Sequence, residues 1–263
     1  MTKTNASQIT YYHLRPKLLL LAVLFLVACA PKIGPEEIVT PEQVQARLEL
    51  AERYLVEGEP RLALQQLLLI EPKAKDNPRL YFDLGLTYMA MGEDPKAEQA
   101  FLKAIQLDQN YAEAWNNLGQ IYLVQGRYSQ AEQAFKKALS ILTYLTPEFA
   151  AYNLAQLYLK QGQPDLALKY AKLSIDKNWR YIPGYILTAK LYLQKGQLIQ
   201  AVNLLQQGVE ANPENPQIIL NLAEYLVRAG ENEQAKKWFR QILELDPSCK
   251  EAQVARDYLG FLP

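Results

Sequence analysis

The chain is poor in the side chains on which most chemistry depends: among 263 residues it has one histidine, His13, and two cysteines, Cys29 and Cys249. So little imidazole and thiol leaves no ligand set for zinc and no histidine relay for nucleophilic catalysis. Two cysteines so placed give no disulfide framework, and Cys249 reads as an inert thiol near the end of the chain. Excess charge is missing as well. The 28 basic and 28 acidic side chains balance with no long basic run, which removes the electrostatic footprint of a nucleic-acid binder. No Walker-type loop, nucleophile elbow or dinucleotide fingerprint occurs. The apolar run from Leu18 to Val27 is too short to span a bilayer. Acid pairs such as Glu36-Glu37 read as solvated and not as a general acid and base. The expectation is a protein that is not an enzyme, with no catalytic residues, no cofactor and no metal.

What the chain does have is a period. Gly58, Gly92, Gly126, Gly162, Gly196 and Gly230 recur at intervals of 34, 34, 36, 34 and 34 residues. Five positions after each comes an alanine: Ala63, Ala97, Ala131, Ala167, Ala201 and Ala235. Four positions before each stand Tyr54, Tyr88, Tyr122, Tyr158, Tyr192 and, in the last unit, Leu226. Within residues 112–145, Trp115, Leu118, Gly119 and Tyr122 fall at i, i+3, i+4 and i+7, one apolar stripe on a helix. Gly126 then ends that helix, because glycine enters the left-handed region without a Cβ penalty. A second helix carries Ala131, Phe135 and Ala138, so that alanine admits a close approach and phenylalanine fills the space beside it. Residues 78–111 repeat the scheme with Leu84, Gly85, Tyr88, Ala97, Phe101 and Ala104. Pro213 and Pro247 close later units, since proline cannot continue a helix.

This pattern resembles the tetratricopeptide family at six consecutive copies. The resemblance implies an all-α fold: six helical hairpins over residues 44–247, stacked in a right-handed superhelix, with residues 248–263 as a C-terminal capping helix opened by Ser248. Weaker copies depart from the pattern. The first has Leu67 and the fourth Ala171 in the aromatic place, and the fifth has Gly208 where a small helix residue belongs, so looser packing is expected there. The 36-residue interval should bend the stack, or extend a helix, between the third and fourth hairpins.

The first 28 residues carry Lys3, Arg15 and Lys17, no acid, and the short apolar run, the pattern of a secretory signal peptide. The run ends Leu26-Val27-Ala28-Cys29, which is similar to the lipobox of bacterial lipoproteins. That similarity implies acylation of Cys29 and, with Ala30 in place of an aspartate at the following position, a lipid anchor on the periplasmic side of the outer membrane. Residues 29–43 read as the lipidated cysteine and an extended tether. Thr40-Pro41-Glu42-Gln43 looks like a helix start. Loss of the leader would leave a slight acidic excess.

Two positions before the small residue of each first helix stand Asp83, Asn117, Asn153, Leu187 and Asn221. Repeat arrays of this family are known to use asparagine at that place to hold the backbone of an extended peptide. The resemblance therefore implies a partner groove formed by Asn116, Asn117, Gln120, Tyr152, Asn153, Gln156 and Asn221, with Ile186, Lys190 and Glu224 as neighbours and Leu187 as an interruption. The stretch from Thr146 to Leu154 further resembles the type IV pilus biogenesis lipoproteins of the PilW and Tgl kind. Those are pilotins that bind secretin subunits and promote their assembly at the outer membrane. The expected partner is accordingly a protein, with secretin subunits foremost. A general envelope scaffold for cell-wall or secretion complexes and a periplasmic chaperone remain open as alternatives.

Overall fold

A computed structural model describes residues 40–263. The expected leader with His13, the lipobox cysteine Cys29 and the tether as far as residue 39 lie outside the described residues. From there the chain forms α1 (Pro41–Val56), α2 (Pro60–Ile70), α3 (Pro78–Ala90), α4 (Asp94–Leu107), α5 (Ala112–Val124), α6 (Tyr128–Ser140) and α7 (Pro147–Lys160). It continues with α8 (Pro164–Lys177), α9 (Ile182–Gln194), α10 (Leu198–Ala211), α11 (Pro216–Arg228), α12 (Asn232–Leu245) and α13 (Lys250–Phe261). Each odd-numbered helix up to α11 pairs with the helix after it, giving six hairpins stacked in a superhelix, and α13 closes the C-terminal end.

The turn inside each hairpin follows from its glycine. Gly126 sits at φ +74°, and the other five periodic glycines lie between +69° and +81°. Gly126 N–H donates to the Leu123 carbonyl at 3.3 Å, and the next amide, of Arg127, reaches back to the Tyr122 carbonyl at 2.8 Å. These two bonds satisfy carbonyls that the helix end would leave bare. The same backward bond recurs in all six hairpins, onto Leu226 in the sixth. Because the acceptor is a main-chain carbonyl, leucine serves there as well as tyrosine.

The hairpin cores pair a small residue on the first helix with a larger one on the second. A Cβ built on Gly119 would stand 2.6 Å from the Phe135 ring, and one on Gly85 would stand 2.4 Å from Phe101. Both rings are fully buried. The fourth hairpin departs from the expectation of looseness. Its pair is Ala155 with Ala171, both fully buried, and α7 and α8 show the most extensive close backbone approach of the hairpins from the second onward. With no ring to hold them apart the two helices approach each other closely, which limits the space a missing ring would leave. Tyr158 stacks on Tyr170 at 5.3 Å between ring centroids beside that contact. The fifth hairpin does show the least extensive approach of this set, and its Gly208 makes room for the Tyr185 ring.

Successive hairpins are tied by side chains as well as by apolar contact. Tyr158 Oη donates to Glu132 Oε1 at 2.9 Å, and Arg127, lying 4.1 Å over the Tyr122 ring, takes Glu98 at 2.8 Å. Glu98 and Glu132 each follow the repeat's alanine by one position. Burial and the Glu132 carboxylate push the Tyr158 hydroxyl up to about 12.

The two extra residues fall in the loop between α6 and α7, where Ile141 and Tyr144 turn inward against Ala112, Ala138 and Ala150, and α7 has 14 residues where α3, α5, α9 and α11 have 13. One local expectation is corrected. Ser248 does not cap the last helix. Its Oγ and N–H both donate to Asp246 Oδ1, at 2.7 and 2.8 Å, and Cys249 occupies the cap position without a side-chain bond. The carboxylate of Asp246 is the stronger acceptor and organises a turn of its own. Tyr258 of α13 stacks on Phe239 with centroids 4.8 Å apart, covering the end of the core.

Candidate functional site: the inner face of the array

Successive first helices approach one another, α5 with α7, α7 with α9 and α9 with α11, while no successive pair of second helices does so to a like extent. The first helices therefore lie on the inner, shorter arc, and their outward-turned residues line a concave face. On that face Asn153 Nδ2 donates to Asn116 Oδ1 at 3.0 Å, bridging the third and fourth hairpins. Asn116 itself is only 5 % exposed, so it supports this face from beneath instead of lining it. Asn117 and Asn221 each donate Nδ2 to the carbonyl four residues back in their own helix, Glu113 and Gln217, both at 2.8 Å. These back-bonds fix the amides in one orientation and leave each Oδ1 as an acceptor. Asn117, Gln120, Tyr152, Asn153, Gln156 and Asn221 are partly exposed. Leu187 is buried, which interrupts the line of amides as its sequence position suggests.

Tyr152 belongs to an aromatic group that sequence reasoning did not find. Tyr181, in the loop before α9, sets its ring edge-on to Tyr152 at 5.6 Å and to Phe149 at 5.4 Å. Burial raises the Tyr152 hydroxyl, and its bond to Gln156 acts the other way. No motif marks this group, because Tyr181 joins it only through the stacking of the fourth and fifth hairpins.

At the equivalent place of the second hairpin, Asp83 is buried, not solvated. It is 1 % exposed, and its Oδ2 has no hydrogen-bond partner, since Arg79 Nε stands 3.9 Å away. Glu52 of α1 holds that guanidinium, with Arg79 Nη2 at 2.6 Å and Nε at 3.0 Å. Burial first, and the Glu52 carboxylate second, lift Asp83 to about 7, against a smaller opposing pull from Arg79. Desolvation likewise drives the Tyr111 hydroxyl well above its usual range. Among the described residues no cluster of histidine, cysteine and acids could hold a metal ion, and no helix is long and apolar enough to cross a membrane.

Sequence models described as tetratricopeptide repeats match residues 85–126, 112–142, 150–176 and 192–256, together more than half of the chain. The chain belongs to the tetratricopeptide-repeat family. As such it is a scaffold for protein–protein interaction. Among solved structures, that of PilW, described as a widely conserved type IV pilus biogenesis factor, aligns over 82 % of this chain and 100 % of its own at 22 % identity, with a TM-score of 0.65. PilF of Pseudomonas aeruginosa aligns over 82 % of this chain and 97 % of its own at 20 % identity, with a TM-score of 0.66. At these identities the likeness is one of fold. Among curated proteins, a DnaJ homolog subfamily C member 7 homolog of Schizosaccharomyces pombe is 28 % identical over 110 residues. That tetratricopeptide stretch is 39 % of this chain and spans only 22 % of the relative's length.

Proposed function

We propose that this protein is an outer-membrane lipoprotein, anchored through Cys29 and facing the periplasm, which grips a protein partner on its concave face. The partner proposed is the secretin subunit, and the role is pilotin-like, promoting secretin assembly in type IV pilus biogenesis. The observation that carries this reading is the full-length alignment with PilW, all of whose chain is covered by this array. The lipobox supports it from the sequence. Lipid would supply the address and the groove the grip, so that subunits are concentrated in a thin layer at the membrane.

The test replaces Asn117 and Asn153 together by alanine. Each lost hydrogen bond should weaken partner binding by about 0.5–1.5 kcal/mol, and secretin multimers at the outer membrane should fall while the circular dichroism spectrum is kept. Normal multimers with a folded double variant would remove this stretch of the inner face from the reading. Cys29→Ser tests the anchor separately: it should end incorporation of labelled fatty acid.

A further inference from the structure

One edge of the array carries apolar side chains that its own packing does not use. In the loop between α6 and α7, Ile141 and Tyr144 are buried, while Leu142 is 101 % and Leu145 87 % exposed. The next loop on the same edge adds Trp179 at 62 % exposure. The two loops are held side by side, because Asn178 Nδ2 donates to Glu148 Oε1 at 2.8 Å and Tyr181 packs on Phe149. The Arg180 guanidinium lies 5.3 Å from the Trp179 ring centroid, and its Nε donates to the Ala211 carbonyl. Lys137 and Lys177, in the last turns of α6 and α8, are exposed beside these tips, with Asp176 as an exposed acid next to Lys177. Single exposed leucines are ordinary, but three large apolar side chains exposed on two neighbouring, braced loops mark a candidate contact surface.

We propose that this edge rests on a lipid surface, with Leu142, Leu145 and Trp179 entering the boundary between headgroups and acyl chains and Lys137, Lys177 and Arg180 meeting anionic headgroups. The proposal builds on the anchoring through Cys29 proposed above. Topology favours a lipid occupant. Every first helix begins at the edge where these loops lie, so α1 starts there too, at Pro41. The residues between Cys29 and Pro41 extend to at most about 40 Å. Three helix-to-helix spacings of ~8–10 Å place the loops about 30 Å along the stack from α1. An anchor at Cys29 and the loop tips can thus reach one surface. Chemistry favours it as well, since aliphatic tips, an indole with one polar N–H and a basic fringe are the ingredients of interfacial binding.

The test uses the lipidated full chain with Trp115→Phe and Trp238→Phe, which leaves Trp179 as the reporter. The protein is reconstituted by flotation with vesicles of phosphatidylethanolamine and phosphatidylglycerol carrying brominated acyl chains. Trp179 emission should shift to the blue and be quenched, and Leu142→Asp with Leu145→Asp should abolish both changes without releasing the protein from the vesicles. A protein that floats with Trp179 unquenched overturns the proposal and leaves the anchor standing. Failure to float overturns the anchor, and this proposal with it. Unquenched Trp179 together with loss of a pulled-down protein in the double aspartate variant gives the edge to a protein partner instead. If the phenylalanine substitutions loosen the fold, a polarity-sensitive dye on Leu145→Cys in a Cys249→Ser background reads the same contact.

Discussion

The third and fourth hairpins are built from the same repeat yet reach a dense core by opposite routes. In the third, Gly119 gives up its side chain so that Phe135 can fill the space between α5 and α6. In the fourth, Ala155 faces Ala171 and the helices themselves move together. The repeat thus conserves filled volume and not a particular side chain, and helix separation is the variable that adjusts.

The strongest way to break this comparison is Phe135→Ala. If the third hairpin could relax as the fourth has, the cost would be small. With Gly119 and its neighbours shaped around the ring, about 3–5 kcal/mol should be lost, read as a drop in thermal midpoint. One hairpin earlier, Asp83 tests the inner line by pH. Its folded pKa is raised to about 7 from 3.8, so the folded state keeps a proton that the unfolded chain surrenders. Stability should then fall as pH rises from about 4 to about 7 and level off above. Asp83→Asn should flatten that slope and gain on the order of 3 kcal/mol over the parent at pH 8 in urea titrations. Ala171→Phe asks the reverse of the first change: the fourth hairpin, already closed, should lose about 1–3 kcal/mol by overpacking. The smallest effect is expected from Asn153→Ala, which cuts the bridge to Asn116. It should cost about 1 kcal/mol and weaken the seam between the third and fourth hairpins in hydrogen exchange.

The hairpins, their turns and their core pairs were legible because each depends on residues close in sequence with fixed spacing. Gly126 and Phe135 announce their roles by position alone. What escaped sequence reasoning depends on how hairpins stack. Asp83 shares its repeat place with Asn117, and nothing in that place announces that it is buried, because its burial and its charged neighbour Glu52 come from the stacking of α1 on the second hairpin. Asn116 appeared to line the face and instead lies under Asn153. Ala171 looked like a defect because a missing ring is visible in sequence and a shortened helix separation is not. Tyr181 sits in a loop without periodicity, so nothing flagged its aromatic contacts. The ties from Tyr158 to Glu132 and from Arg127 to Glu98 could have been suspected from the acid that follows Ala97 and Ala131.

The preference for contact along the inner arc has a mechanical consequence. From α5 to α11 the first helices approach their successors more closely than the second helices do, so a tilt at a seam moves the second helices furthest and is resisted by their packing on the next first helix. Small tilts at each seam add along the stack, as in a coiled spring, and change the pitch and width of the inner channel while every hairpin stays intact. Tension between the two ends would be stored elastically across all the seams. The bridge from Asn153 to Asn116 and the tie from Tyr158 to Glu132 set the stiffness of the seam in the middle.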